Sequence, residues 1–99
     1  HPSNLVLPYC PDGMITRCLE NKVFAATADR VGRENRGNVD IQFIGTSEIV
    51  SPGGEILARL GREEEGIAVV EIDPKDADKK KINQYNDLLA GRRPDQYKL

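Results

Sequence analysis

The sequence predicts an α/β fold in which a mixed β-sheet carries helices on one face. Residues 41–50 alternate between two faces with a period of two, which is the signature of a strand. Ser-Pro-Gly-Gly at residues 51–54 then reverses the chain, because proline presets φ and glycine supplies a positive φ, so residues 55–60 return as the second strand of a hairpin. Residues 23–31 are a nearly continuous apolar run, which suits a strand covered on both faces.

Helical patterns lie before and after these strands in the sequence. Pro11 and Asp12 predict a helix start, because proline fits the first turn and an acid favours the positive end of the helix dipole. The apolar stripe of that helix consists of Met14, Ile15, Cys18 and Leu19. Asp73 and Pro74 predict a second helix that ends near residue 81, with Asp73 as its N-cap.

Four further segments complete the prediction. Residues 4–7 form a short buried strand, and the polar residues 32–40 form a loop. Residues 67–72 are β-branched and nearly continuous, so we expect a fourth central strand. Residues 82–89 carry an apolar stripe that predicts a short helix or turn, closed by Gly91.

Length and charge indicate a single small domain and argue against a nucleic-acid-binding or membrane-spanning protein. Ninety-nine residues make one small domain, and a net charge of −2 gives no broad basic field for nucleic acid. No apolar run approaches the ~20 residues of a membrane span, so we expect no membrane partner. The chain opens with His1 directly before an apolar run, and we therefore expect it to be a piece of a longer protein.

The two cysteines indicate a reducing compartment. Cys10 and Cys18 lie eight residues apart, which on one helix means about 12 Å of rise, too far for a disulfide. Two unpaired thiols favour the cytoplasm. We interpret Cys18 as a small core residue. Cys10 near a helix N-terminus is a weak nucleophile candidate, because no histidine lies near it in the sequence.

The residue types needed for catalysis are sparse. The only histidine is His1, so neither a Ser/His/Asp nor a Cys/His arrangement is credible. The sequence contains no CxxC pair, P-loop or GxGxxG. We interpret the acidic run at residues 63–65 as a solvated turn, since three consecutive acids cannot converge on one ion. The sequence thus predicts no catalytic residue, no metal site and no cofactor.

Six short motifs nevertheless occur in order along nearly the whole chain. They are HPSNL at 1–5, RCLEN at 17–21, ATADRVG at 26–32, FIGTS at 43–47 with PGGE at 52–55, VEID at 70–73, and RRP at 92–94 with Tyr97. Together they resemble the C-terminal part of the nitrilase superfamily, the carbon–nitrogen hydrolases, and most of all its archaeal-type nitrilases and amidases. Each motif alone is weak, whereas six in order are specific.

The resemblance implies that residues 1–99 are half of a four-layer αββα sandwich, the C-terminal part of a hydrolase domain. In the family the nucleophilic Cys, the general-base Glu and the Lys lie upstream of this region, and neither Cys10 nor Cys18 has the strand-to-helix elbow of that Cys. The resemblance therefore assigns no catalytic residue here. It assigns Pro2, Ser3 and Asn4 to the wall of the substrate pocket.

Two motif positions carry further expectations. Asp29 stands where the family commonly has Asn, which leaves the local contact of that side chain open. Arg17, Glu20 and Asn21 match a motif that we interpret as tying a helix to the sheet.

The parent enzyme implied by the resemblance hydrolyses non-peptide C–N bonds, turning a small nitrile or amide into a carboxylic acid and ammonia. The chain alone is expected to be inactive because it lacks the Glu-Lys-Cys triad. The alternative is a non-catalytic half-sandwich that serves as an assembly module. In either case an uncovered sheet face predicts self-association, as a homodimer or a higher oligomer, and the tail at residues 92–97 is of a kind that packs on a partner subunit.

Overall fold

The computed structural model describes residues 9–97. Its helix α1 spans Tyr9–Asn21, which confirms the predicted helix but begins it two residues before Pro11, with Asp12 in the first turn. Pro11 and Cys18 are the buried residues of this helix. The predicted strand at residues 4–7 lies outside the described residues.

Five short strands follow α1. They are β1 (Ala25–Thr27), β2 (Arg33–Arg36), β3 (Val39–Gln42), β4 (Glu48–Val50) and β5 (Ile56–Arg59). One sheet has the order β1-β4-β5, and the second pairs β2 with β3. Every pairing among these strands is antiparallel, so the mixed sheet that the sequence predicted is not found within residues 9–97.

The β4–β5 hairpin confirms the predicted turn at residues 51–54. The Gly54 amide donates to the Ser51 carbonyl at 3.0 Å, and the Ser51 amide donates to the Glu55 carbonyl at 2.9 Å. The Ser51 hydroxyl accepts from the Gly53 and Glu55 amides. Gly54 has a φ of +78°, the left-handed region that favours glycine. The turn residues therefore fix the hairpin by local chemistry.

Two predicted boundaries are wrong around this hairpin. Residues 41–50 are not one strand, because β3 ends at Gln42 and the chain then takes φ values of +56° and +60° at Gly45 and Thr46 before β4 begins. Residues 32–40 are not a loop, because β2 and β3 form a hairpin there. Neither β2 nor β3 contains a buried residue. The sequence of this hairpin therefore lacks the alternation of apolar and polar residues by which a half-buried strand is predicted.

The C-terminal third departs furthest from the prediction. Residues 67–72 are assigned to no strand. The second predicted helix is a short 3-10 helix at Pro74–Asp78, capped as expected by the Asp73 carboxylate, which accepts from the Lys75 amide. For residues 82–89 the sequence predicted a short helix or turn, and the structure has turns there beside an isolated bridge between Lys81 and Asp87.

The core lies in the first two thirds of the described chain. Its buried apolar residues are Cys18, Phe43, Ile44 and Val50. Cys18 on α1 and Val50 on β4 are both 0% exposed, and α1 packs on β4. Among residues 9–97, no helix combines the length and the apolar character that crossing a bilayer requires.

Candidate functional site

The residues assigned to the substrate pocket, Pro2, Ser3 and Asn4, lie outside the described residues 9–97. Their role remains a prediction from the resemblance.

The two thiols differ in their surroundings. Cys10 is half-buried and Cys18 is fully buried, and both are unpaired. Burial raises the pKa of the Cys18 thiol, and the negative charge of Glu48 raises it further. A nucleophilic cysteine needs the opposite shift, toward the thiolate. The interpretation of Cys18 as a core residue is therefore confirmed.

The motifs ATADRVG and FIGTS meet in the structure. The Asp29 amide donates to the Ser47 hydroxyl at 2.8 Å, and that hydroxyl donates to the Asp29 carbonyl at 3.3 Å. The Asp29 carboxylate accepts from the Arg30 amide at 2.9 Å, which is one local contact of this side chain. Ser47 also accepts from the Leu60 amide through its carbonyl at 2.8 Å. One serine thus links the segment after β1 to the start of β4 and the end of β5.

Arg30 and Phe43 form a second contact between these motifs. The Arg30 guanidinium lies 4.4 Å from the centre of the Phe43 ring and pairs with Glu34. The Arg30 carbonyl accepts from the Gly45 amide at 2.9 Å. A Cβ atom on Gly45 would lie 2.8 Å from Val31 Cγ1 and nearer still to the Arg62 carbonyl oxygen, so the position requires glycine. These motif residues build scaffold rather than reactive groups.

A charged cluster lies between α1 and the sheet. Glu48 on β4 is only 3% exposed and stands opposite Arg59 on β5. The Arg59 Nε and Nη2 atoms donate to Glu48 Oε2 at 2.9 and 2.6 Å. Arg59 Nη2 also lies 3.6 Å from Asp12 Oδ1 in the first turn of α1. One guanidinium therefore joins three elements.

Sequence reasoning missed this cluster. Glu48 Oε1 is buried and has no hydrogen-bond partner within the described residues. The hydrogen bonds that compensate the buried charge of this carboxylate therefore come from Arg59, which donates to Oε2. The sequence did contain a signal for this ion pair. The predicted hairpin brings an acid at 48 opposite a base at 59, and opposite charges at paired positions stabilise a sheet.

The interpretation of Arg17, Glu20 and Asn21 as a tie between helix and sheet is wrong. Arg17 and Glu20 form an exposed ion pair of 2.6 Å within α1, and the Asn21 amide donates to the Arg17 carbonyl at 2.9 Å. These contacts are local to the helix. The ties to the rest of the chain come from Arg59 at the first turn and from Lys80, whose Nζ donates to the Asn21 and Lys22 carbonyls at 3.1 and 2.7 Å.

An open cleft of about 340 Å³ lies beside β1 and β4 and extends to residues 66–68. Most of its lining is apolar; the residues are Ala26, Thr27, Ala28, Ser47, Glu48, Ile49, Leu60, Gly66, Ile67 and Ala68. Within residues 9–97, no three His, Cys, Asp or Glu side chains are close enough together to hold a metal ion.

Comparison with known proteins gives the family. The carbon–nitrogen hydrolase family model matches residues 14–81. The chain is 48% identical to a nitrilase of Pyrococcus abyssi over 97 residues, which is 98% of this chain and 36% of that protein. It is 36% identical to an N-carbamoylputrescine amidase of Solanum tuberosum over 84 residues, 80% of this chain and 27% of the amidase. It is 43% identical to a 2-oxoglutaramate amidase of Bacillus subtilis over 60 residues, 61% of this chain and 21% of that amidase.

The chain thus spans about a third or less of the length of these relatives. The family model covers more than half of the chain, and it includes the Asp29–Ser47, Arg30–Phe43 and Glu48–Arg59 contacts. The chain belongs to the carbon–nitrogen hydrolase family.

Proposed function

We propose that residues 1–99 are the C-terminal part of a hydrolase domain that acts on small nitriles or amides. The observation that carries the proposal is the 48% identity to the Pyrococcus abyssi nitrilase, which extends over 98% of this chain but only 36% of that protein. An amidase of Solanum tuberosum supports the same reaction class.

This part contributes scaffold and one pocket wall to the enzyme. The contacts of Ser47, Arg30 and Arg59 hold α1, the hairpin and the segment after β1 in one arrangement. We propose that Pro2, Ser3 and Asn4, which precede α1 in the chain, contact the substrate. The reactive Cys, Glu and Lys come from the rest of the domain.

The proposed fold is half of a four-layer αββα sandwich. Helix α1 packs on one face of the β1-β4-β5 sheet, which supplies two adjoining layers. The cleft beside β1 and β4 is open and mostly apolar. Sheets stack face to face about 10 Å apart. A second sheet packed over the cleft beside β1 and β4 would supply the next layer of the sandwich.

The proposed reaction is that of the family. A thiolate attacks the nitrile or amide carbon, the Glu carboxylate transfers the protons, and the Lys ammonium stabilises the negative charge that develops. An amide then loses ammonia directly, whereas a nitrile first adds one water to its carbon–nitrogen double bond and loses ammonia after that. In both cases a further water releases the carboxylic acid from the sulfur. All three groups must meet in one pocket, so residues 1–99 without them are expected to be inactive.

A chimeric enzyme tests this proposal. The 97-residue matched region of the Pyrococcus abyssi nitrilase is replaced by this chain, and ammonia release from simple nitriles and amides is measured. We expect the chimera to hydrolyse at least one substrate of the unmodified nitrilase. The chain alone is the matched control and is expected to show no turnover. A folded chimera without activity, or turnover by the chain alone, would contradict the proposal.

The second candidate is a self-associating module without chemistry. The exposure of Ile67, Val69 and Tyr85 favours it, because large apolar side chains in water favour association. Sedimentation velocity over a range of concentrations tests the self-association that the module requires. A concentration-dependent dimer supports the module, and a monomer at high concentration removes it. We propose the cytoplasm as the location, because both thiols are unpaired.

A further inference from the structure

We propose that Arg59 is a positioning residue for the substrate-pocket wall, acting through the ion pair that it forms with Asp12 in the first turn of α1. The inference rests on the proposed function, which makes Pro2, Ser3 and Asn4 part of that wall. It adds a residue far from them in the sequence that fixes where the wall stands, and it predicts which kinetic constant depends on that residue.

The Arg59 guanidinium is a fixed point on the sheet. It donates from Nε and Nη2 to Glu48 Oε2 at 2.9 and 2.6 Å, across the β4–β5 pairing that sets the two residues opposite each other. The Glu48 side chain is 1% exposed and the Arg59 side chain 30%. Because moving the guanidinium away would leave a buried carboxylate uncompensated, Arg59 stays with Glu48.

The first turn of α1 is tied to this fixed point. Asp12 Oδ1 lies 3.6 Å from Arg59 Nη2. Among the ion pairs within residues 9–97, it is the only one that joins α1 to another element. Packing of the buried Pro11 is not directional, whereas attraction to a fixed charge falls off with distance and so sets where the turn stands.

Without that tie, the first turn is the part of α1 that could shift most. The last turn is held separately, because Lys80 Nζ donates to the Asn21 and Lys22 carbonyls at 3.1 and 2.7 Å. The middle of the helix is held by the buried Cys18, where α1 packs on β4. The first turn is also the end of α1 that follows the pocket wall in the sequence.

Only a short connector separates that turn from the pocket wall. Asn4 precedes the first helical residue, Tyr9, by five residues, which span roughly 17 Å at most when fully extended. The connector includes Pro8, whose ring limits backbone rotation. A shift of the first turn is therefore passed on to the wall. A misplacement of about 1 Å caused far from the chemistry can lower the efficiency of an enzyme about 100-fold, so a small shift suffices.

The kinetic constant that depends on Arg59 should be KM. The wall contacts the substrate in the ground state and the transition state alike, whereas the reacting Cys, Glu and Lys come from the rest of the domain. Loss of binding that is the same in both states raises KM and leaves kcat unchanged.

The chimera of this chain with the part of the Pyrococcus abyssi nitrilase outside the match, the nitrilase remainder, tests the inference. The probe is the best substrate of the unmodified nitrilase from a panel of simple nitriles and amides. Asp12→Asn should raise KM about fivefold or more, the lower end of the range for coupled sites, and change kcat by less than about twofold. The melting temperature should move by less than about 4 °C, because the Asp12 side chain is half exposed.

Glu20→Gln is the matched control. It makes the same change of carboxylate to amide in another ion pair of α1, and the exposure of the Glu20 side chain is 46% against 53% for Asp12. Glu20 lies in the last turn, and its partner Arg17 belongs to the same helix, so KM should stay unchanged. Equal KM values for Asp12→Asn and the unaltered chimera, or the same rise with Glu20→Gln, would overturn the inference.

A second set of variants separates positioning from stability. Glu48→Leu with Arg59→Met removes the fixed point together with the buried charge, so the fold should keep most of its stability. KM should nevertheless rise as far as it does in Asp12→Asn. Adding Asp12→Asn to the pair should raise KM no further, because the three residues act as one unit. A KM that returns to normal along with the melting temperature would show a purely structural role and overturn the inference.

Binding without turnover separates the inference from the proposed function. The reactive Cys of the nitrilase remainder is replaced by Ala, and calorimetry measures the dissociation constant of the same substrate. Asp12→Asn should raise this constant by the same factor as KM.

Each outcome of the binding experiment is decisive. An active chimera whose substrate affinity is unchanged by Asp12→Asn defeats only the inference. A chimera that binds substrate more weakly after Asp12→Asn, but hydrolyses nothing before its Cys is replaced, defeats only the function. Absence of binding by the otherwise unaltered chimera also overturns the inference, because residues 2–4 would then belong to no substrate pocket.

Discussion

Residues 9–60 and residues 61–97 are built differently, although they belong to one chain. The first region contains every buried residue of the described chain, including Cys18, Val50 and Glu48. The second contains none, and its most exposed apolar residues, Ile67 and Val69, are β-branched. The radius of gyration is 17.3 Å, well above the roughly 13 Å of a compact chain of this length.

The two regions differ in how much of their apolar surface the chain itself covers. In residues 9–60, α1 and the β1-β4-β5 sheet cover each other on one face. Residues 61–97 carry strand-forming residues with no layer to pack against. Burying apolar surface is worth roughly 25 cal/mol per Å², so the exposed apolar side chains of residues 61–97 favour association.

The strongest test of the first region removes Arg59. Arg59→Met leaves the buried Glu48 carboxylate without a hydrogen-bond partner, and we expect a loss of about 3–5 kcal/mol in the free energy of unfolding. Urea denaturation measures it. The double variant Glu48→Leu with Arg59→Met should recover most of the loss, since it removes the buried charge as well. A loss below about 1 kcal/mol for the single variant, the range of a surface ion pair, would contradict the role of the cluster.

Gly45 tests the break between β3 and β4. Gly45→Ala combines a positive φ with a clash at Val31 and Arg62, and we expect a loss of about 2–3 kcal/mol. Gly37→Ala is the matched control, because Gly37 has a similar φ of +61° with nothing within 4 Å of the added carbon. It should cost about 1 kcal/mol. Equal losses for the two variants would show that packing at Gly45 does not matter.

A pair of valines compares the two regions directly. Val50→Ala should lower the free energy of unfolding by about 2 kcal/mol, because Val50 is fully buried. Val69→Ala should change it by less than about 0.5 kcal/mol, because Val69 is almost fully exposed. Chemical denaturation of both variants measures the contrast. Similar losses would mean that Val69 is packed in solution and that the two regions are alike.

The smallest expected effect concerns the β2–β3 hairpin. The hydrogen bond from Arg33 holds the pKa of the Asp40 carboxyl below its ordinary value of 3.8. Because the folded-state pKa is lowered, the stabilisation is present above pH 3.8 and is lost as the pH falls through the folded-state value. An NMR titration measures this pKa. Arg33→Gln should raise it toward 3.8 and leave Asp95, whose pKa is lowered by Arg93, unchanged. An unaltered Asp40 titration would contradict the pairing.

The elements that the sequence predicted well are those fixed by local chemistry. Pro11 and Asp12 mark the start of α1, Ser51 and Gly54 make the hairpin turn, and Asp73 caps the 3-10 helix. At the hairpin turn and the 3-10 helix, neighbouring residues supply the hydrogen bonds or the required φ, and at α1 an acid lies in the first turn. A reader of the sequence needs no knowledge of the rest of the fold to find them.

The errors arise where structure depends on distant residues or on polar pairs. The β2–β3 hairpin is held by backbone pairing and by the Arg33–Asp40 ion pair, which leave no apolar pattern. The Glu48–Arg59 contact joins residues eleven apart through the hairpin register. Residues 67–72 have the composition of a central strand, but a strand needs a neighbour, and residues 9–97 do not provide one.

Hydrogen–deuterium exchange compares the two regions most directly. In the chain alone, amides of β4 should be protected and those of residues 66–72 should exchange close to the rate of an unstructured peptide. Addition of the nitrilase remainder should slow exchange in residues 66–72 at least tenfold. Protection of residues 66–72 equal to that of β4 in the isolated chain, or no change when the remainder is added, would contradict the account.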